Sequence, residues 1–187
     1  LKSSIRSYSK ANEENIILGT GATGLISGFI KYVNPSNAMI LSPAYSEYKK
    51  ELSSIGSNIF ELFLDEAENF IPNTDKIIDY ANANNCEMII ICNPNNPTGS
   101  ILSAEQIKAI LSRTNSYILV DETYIEFTNQ ENYSSAPLVN EFAKLFVIRG
   151  TSKFFSTPGI RLGYALNSDE QLKTKLQNQM NLWGINI

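Results

Sequence analysis

EMIIICNPNNPTGSILSAEQIKAILSRTNSYILVDETY, residues 87–124, decides the fold. EMIIIC (87–92) and YILVD (117–121) are of strand length and apolar without alternation, which is what a parallel sheet covered by helices on both faces demands. Between them SAEQIKAILSR (103–113) carries apolar residues at helical spacing and opens with a Ser103-x-x-Gln106 capping pattern.

The same alternation runs outward in both directions. NIILG (15–19), AMILS (38–42), IFELFL (59–64), LFVIRG (145–150) and IRLGYAL (160–166) complete a set of seven strands. Helical spacing recurs in TGLISGFIKYV (23–33), YSEYKKELSSI (45–55) and TDKIIDYANAN (74–84), and a tail helix is expected from Ser168 to about Met180. The predicted fold is an α/β three-layer sandwich with a seven-stranded, mostly parallel sheet. The link 151–159 is too short for the dozen-residue crossover that parallel neighbours need, so the seventh strand is expected to be antiparallel. No linker or composition shift divides the chain. The opening LKSSIRSYSK reads as an amphipathic helix already under way and does not begin with Met, so a piece of a longer protein is expected.

Composition narrows the chemistry. The 187 residues are 43% hydrophobic and 18% charged, with a formal net charge of -4. At this length one core buries roughly 70% of the unfolded chain's surface and needs neither disulfides nor a structural metal. Histidine is absent, which excludes Ser-His-Asp and Cys-His nucleophiles and His-ligated zinc. Cys86 and Cys92 alone make no zinc site, so no metal is expected and both thiols read as buried and reduced. An acidic balance without a Lys/Arg cluster argues against nucleic acid and anionic membranes. No apolar run is long enough to span a bilayer, and no secretory leader is visible, so a cytoplasmic protein is expected.

In open α/β sheets ligands gather beyond the carboxyl ends of the strands. Gly19-Thr20-Gly21-Ala22-Thr23-Gly24 runs from the first strand into a helix, where small residues let N–H groups close on an anion; a tight turn with Thr23 as N-cap is the plainer alternative. Asn93-Pro94-Asn95-Asn96-Pro97-Thr98-Gly99 is a loop stiffened by two X-Pro steps that presents asparagine amides, or else simply a polar turn. Asp121, after the buried run YILV, calls for a cation or protonated heterocycle unless it ends the strand in water. Lys153, followed by Phe154 and Phe155, reads as an amine in an apolar setting, and Arg161 as a fixed charge for a phosphate; both are also ordinary surface residues.

Taken jointly, GTGAT, PAYSEY, NPNNPTG, DETYIEF and SKFFSTPGIRLGY resemble, in order and spacing, the class I/II aminotransferases of the fold-type I pyridoxal 5'-phosphate (PLP) enzymes, across nearly the whole chain. The resemblance implies that Lys153 condenses with the cofactor aldehyde and then moves protons at the substrate carbon. It implies that Asp121 pairs with the pyridine nitrogen, Tyr124 and Asn96 hydrogen-bond the phenolic oxygen, and Tyr45 stacks on the ring. The phosphate would rest on Gly21, Ala22 and Thr23, with Ser152 and Arg161 adding side chains. Gly150 departs from the family, where many members carry Ser or Thr. Within the family the chain looks most similar to histidinol-phosphate aminotransferases, moving an amino group between an L-amino acid and a 2-oxo acid, and to threonine-phosphate decarboxylases. Residues 1–187 would be the large PLP-binding domain alone, lacking an amino-terminal arm and a small carboxyl-terminal domain, from a protein that is a homodimer when full length. A PLP-binding sensor domain of a regulator is a further alternative.

Overall fold

The computed structural model describes residues 1–179. In chain order the elements are α1 (Lys2–Ser9), β1 (Ile16–Thr20), α2 (Gly21–Val33), β2 (Asn37–Ser42), α3 (Ser46–Ser54), β3 (Asn58–Phe63), α4 (Thr74–Ala83), β4 (Met88–Cys92), α5 (Ala104–Arg113), β5 (Tyr117–Asp121), α6 (Gln130–Tyr133), β6 (Leu145–Gly150), β7 (Leu162–Leu166) and α7 (Glu170–Gln179). The strands form one sheet in the order β1-β7-β6-β5-β4-β2-β3. As predicted, β7 is the reversed strand: it pairs antiparallel with both β1 and β6, and the remaining pairs are parallel.

Alternation of side chains along the strands feeds two cores, one on each face. Met39, Leu41, Ile89, Ile91, Ile118 and Val120 pack with Ile5 of α1 and the apolar stripes of α4 and α5. Ile40, Ile90, Leu119, Phe146 and Ile148 pack instead with α2, α3 and α7, where the Phe29 and Phe146 rings stack at 4.2 Å. The capping box of α5 forms as expected from Ser103 and Gln106.

Boundaries differ where backbone conformation overrides apolar pattern. Pro158–Ile160 form a short 3-10 turn and Arg161 adopts a left-handed φ of 55°, so β7 begins at Leu162 and not at Ile160. Asp169, accepting from the N–H groups of Gln171 (2.8 Å) and Leu172 (3.2 Å), starts the tail helix rather than Ser168. The expected end at Met180 lies outside the described residues. Among the described residues no helix is long and apolar enough to cross a membrane.

The deepest polar contact of the fold was not anticipated from sequence. Arg149, 1% exposed, donates through Nε (3.0 Å) and Nη2 (2.9 Å) to one carboxylate oxygen of Glu122, which is fully buried. Ser134 Oγ and the Gln130 side-chain oxygen accept the other guanidinium protons, and the Ser135 N–H donates to Glu122. Burial alone would lower the Arg149 pKa, but the Glu122 carboxylate together with Tyr164 more than reverses this and holds the guanidinium charged. Removing one member of such a pair strands the other charge in the interior. Glu122→Gln is therefore expected to cost about 3–5 kcal/mol, read as a lower midpoint at unchanged slope in urea unfolding.

Candidate functional site

Because β7 alone runs backward, its beginning meets the carboxyl ends of the other strands at one edge of the sheet. There a cavity of about 230 Å³ is lined by Thr23, Tyr45, Tyr48, Cys92, Asn96, Asp121, Thr123, Tyr124, Ser152, Lys153 and Arg161. Eight of the ten side chains singled out in the sequence line it: Thr23, Tyr45, Asn96, Asp121, Tyr124, Ser152, Lys153 and Arg161. Gly21 and Ala22 stand just behind, at the start of α2.

The turn that places them depends on two glycines. Gly21 has φ +70°, a conformation that favours glycine, and a Cβ there would come within 3.2 Å of the Arg161 guanidinium. Gly163 of β7 lies beneath: a Cβ on it would sit 2.5 Å from the Gly21 carbonyl carbon and 2.7 Å from the Ala22 nitrogen. The helix therefore begins at Gly21, two residues earlier than predicted, and Thr23 falls in its first turn rather than at its cap. Thr20 holds the N-cap position without a side-chain capping bond. First-turn N–H groups have no acceptor within the helix. With Thr23, Ser152 and the Arg161 guanidinium beside them, they form a donor set suited to an anion such as phosphate.

Two strands along from β7, β5 ends in Asp121, which is 4% exposed. Sequence reasoning asks for a cation or a protonated heterocycle beside it. The protein supplies neutral donors instead: Tyr48 Oη reaches Oδ2 at 2.7 Å, while the Thr123 N–H (3.0 Å) and Oγ1 (2.5 Å) reach Oδ1. Among the described residues no Lys or Arg forms a salt bridge with it. A carboxylate accepts about four hydrogen bonds, so Asp121 keeps capacity for a donor in the cavity. Gly150 joins the two ends of the site: a Cβ on it would lie 3.7 Å from the Ala22 Cβ and 3.8 Å from the Thr123 side chain.

The loop after β4 behaves differently from its sequence reading. Its two X-Pro peptides are both cis. Asn93 bonds Leu102 through both ends of its amide, and Asn95 donates to the Pro43 carbonyl (2.9 Å) and to Thr98 Oγ1 (2.8 Å). Those two amides build the loop, and Asn96 is the one that reaches the cavity. Nor do Phe154 and Phe155 give Lys153 an apolar enclosure. All three are exposed, and the rings pack edge-on to Phe127 and Tyr8.

Tyr48, Thr123 and Cys92 are cavity residues that the sequence reading missed. Tyr48 lies one helical turn after Tyr45, and Thr123 two residues after Asp121, spacings at which a local side-chain contact is available. Burial, then the neighbouring Asp121 carboxylate, pushes the Cys92 thiol up to about 12, which leaves it unreactive near neutral pH.

Residues 1–184 match the family model described as aminotransferase class I and II. The chain belongs to that family. A protein of Caldanaerobacter subterraneus subsp. tengcongensis provisionally named as a threonine-phosphate decarboxylase is 37% identical, the alignment covering 100% of this chain and 51% of that protein. Histidinol-phosphate aminotransferase of Ruminiclostridium cellulolyticum is 33% identical over 97% of this chain and 49% of its own length. Among solved structures, the histidinol-phosphate aminotransferase of Clostridium acetobutylicum superposes with a TM-score of 0.87 at 31% identity, covering 98% of this chain and 54% of that one. The chain thus spans about half the length of the relatives it matches.

For this aminotransferase-family chain the tightest constraint is the contact between Gly163 and the start of α2. Gly163→Ala is expected to push α2 from the sheet, costing about 1–3 kcal/mol of stability. Hydrogen exchange at the first-turn amides of α2 should become faster with it.

Proposed function

We propose that this chain is the large, cofactor-binding domain of a PLP-dependent aminotransferase that moves an amino group between an L-amino acid and a 2-oxo acid. The observation that carries the reading is a buried carboxylate, Asp121, answered only by neutral donors, in a cavity shared with the Lys153 amine and the anion-binding start of α2. This donor set fits PLP: a phosphate, an aldehyde and a basic ring nitrogen each meet a complementary group. When bound, that cofactor supplies an electron sink for the carbanion of the substrate.

The residues then divide the work. Lys153, exposed on the cavity wall, would hold the cofactor through its amine and would move protons at the substrate carbon. Asp121 would pair with the ring nitrogen. The Tyr124 hydroxyl and the Asn96 amide would hydrogen-bond the phenolic oxygen, and Tyr45 would supply an aromatic wall for the ring. N–H groups of Gly21, Ala22 and Thr23, with Ser152 and Arg161, would hold the phosphate. The likeness to histidinol-phosphate aminotransferases points to a phosphate-bearing amino compound as one substrate. The full-length protein is read as a cytoplasmic homodimer working on small molecules, a reading that its acidic balance and the exposed Phe127, Phe154 and Phe155 support. A second reading, release of carbon dioxide from a phosphoamino acid, is favoured by the 37% identical relative.

Borohydride reduction of the PLP-loaded full-length protein, followed by peptide mapping, should label Lys153; a label on another lysine overturns the assignment. Lys153→Ala should abolish the visible absorption band and lower turnover by more than about 10²-fold. Product analysis separates the two reactions: a 2-oxo acid or aldehyde with amino-group transfer supports the first, and carbon dioxide with retained nitrogen selects the second.

A further inference from the structure

Tyr48 has no part in the division of work given above, yet it is among the largest fully buried side chains of the molecule. It sits in the first turn of α3 within an apolar cluster that includes Ile40, Leu52, Ile90 and Cys92. Packing there needs only the ring, and phenylalanine would fill the same space. The hydroxyl is the costly part, since burying it demands a partner. Its partner is Asp121 Oδ2, at 2.7 Å. The ring also meets Tyr45 edge-on, with centroids 5.5 Å apart and planes at 86°. Tyr45 occupies the N-cap position of the same helix, so one helical turn touches the cavity both at the carboxylate and at an aromatic wall.

A donor on one carboxylate oxygen fixes the direction in which the remaining lone pairs point. Burial, then the adjacent carboxylate, raises the Tyr48 pKa well above its usual value, so the phenol remains a donor throughout the neutral range. Thr123 fixes the other oxygen from the chain just after β5. The two donors come from separate elements and oppose rotation of the carboxylate.

We infer that Tyr48 is a positioning residue: through its hydroxyl it holds the Asp121 carboxylate aimed at the ring nitrogen of a bound cofactor. This rests on the PLP reading above. Without the phenol, Asp121 loses the donor on Oδ2 and is free to rotate away from that nitrogen.

The test uses the full-length protein loaded with PLP labelled with nitrogen-15 in the ring. In the wild type the ring resonance should lie at the protonated value; in Tyr48→Phe it should move toward neutral pyridine, with PLP bound roughly tenfold more weakly. In an Asp121→Asn background, adding Tyr48→Phe should change affinity by less than about twofold, because the two residues act as one unit. An unchanged resonance in Tyr48→Phe, or an additive cycle, overturns the inference while leaving the cofactor reading standing. A wild type that binds no PLP overturns both. Should Tyr48→Phe fail to fold, 3-fluorotyrosine at position 48, a stronger donor of nearly the same shape, is expected to shift the ring-nitrogen resonance from its value with tyrosine, and identical resonances would overturn the inference.

Discussion

Two adjacent carboxylates at the end of β5 meet opposite fates, and the rest of the molecule follows from that difference. Both are taken out of water by the strands beside them. Glu122 is met by a guanidinium from β6 and by the Ser134 hydroxyl, with Gln130 bound to the same guanidinium, so its charge is neutralised inside the protein. Asp121 is met by a phenol, a hydroxyl and an N–H, which leave it one acceptor site and its charge. Alternation along a strand sends neighbouring side chains to opposite faces. One residue therefore ties the sheet to the segment before β6, and its neighbour opens on the cavity.

Reversal of β7 is the second constraint, and it acts through space rather than charge. With β7 antiparallel to β6, the chain returns at Arg161 to the edge it left at Gly150, within the short link 151–160. Ser152, Lys153 and Arg161 are thereby placed along one wall. Gly163 then lets the first turn of α2 settle directly on the strand, and the same approach brings Arg161 beside Gly21. A larger residue at 163 would separate the helix start from the guanidinium, which together make up the donor-rich end of the cavity.

The sheet was legible because its strands are uninterrupted apolar runs: YILVD and LFVIRG appear with the boundaries read from the sequence, and the reversed strand follows from the length of one link. Less legible were places where a single residue's backbone decides the outcome. Arg161 looks like part of a strand and adopts a left-handed turn; Thr23 looks like a cap and lies inside a helix. Polar side chains posed a different difficulty, since a residue's type does not say which neighbour will satisfy it. Asn93, Asn95 and Asn96 are alike in sequence, yet two brace the loop and one reaches the cavity. Arg149 reads as a surface residue until its partner, 27 positions earlier, is known. Family resemblance located the cavity residues because it carries the spatial answer that composition lacks, but it passed over Tyr48 and Thr123, which touch the cavity chiefly through Asp121.

Why neutral donors should surround Asp121 can be argued from magnitudes. Two opposite unit charges 4 Å apart attract by about 4 kcal/mol at an effective dielectric of 20. A lysine or arginine beside Asp121 would claim that attraction within the protein and leave little for a ligand's cation. Hydrogen bonds from Tyr48 and Thr123 offset the cost of burying the carboxylate without neutralising it, so most of the field remains directed at whatever occupies the cavity. The Arg149 guanidinium of β6 is instead committed to Glu122, on the other face of the sheet. On the reading proposed above, that division of partners keeps a positive charge in demand at the ring nitrogen, as an electron sink requires.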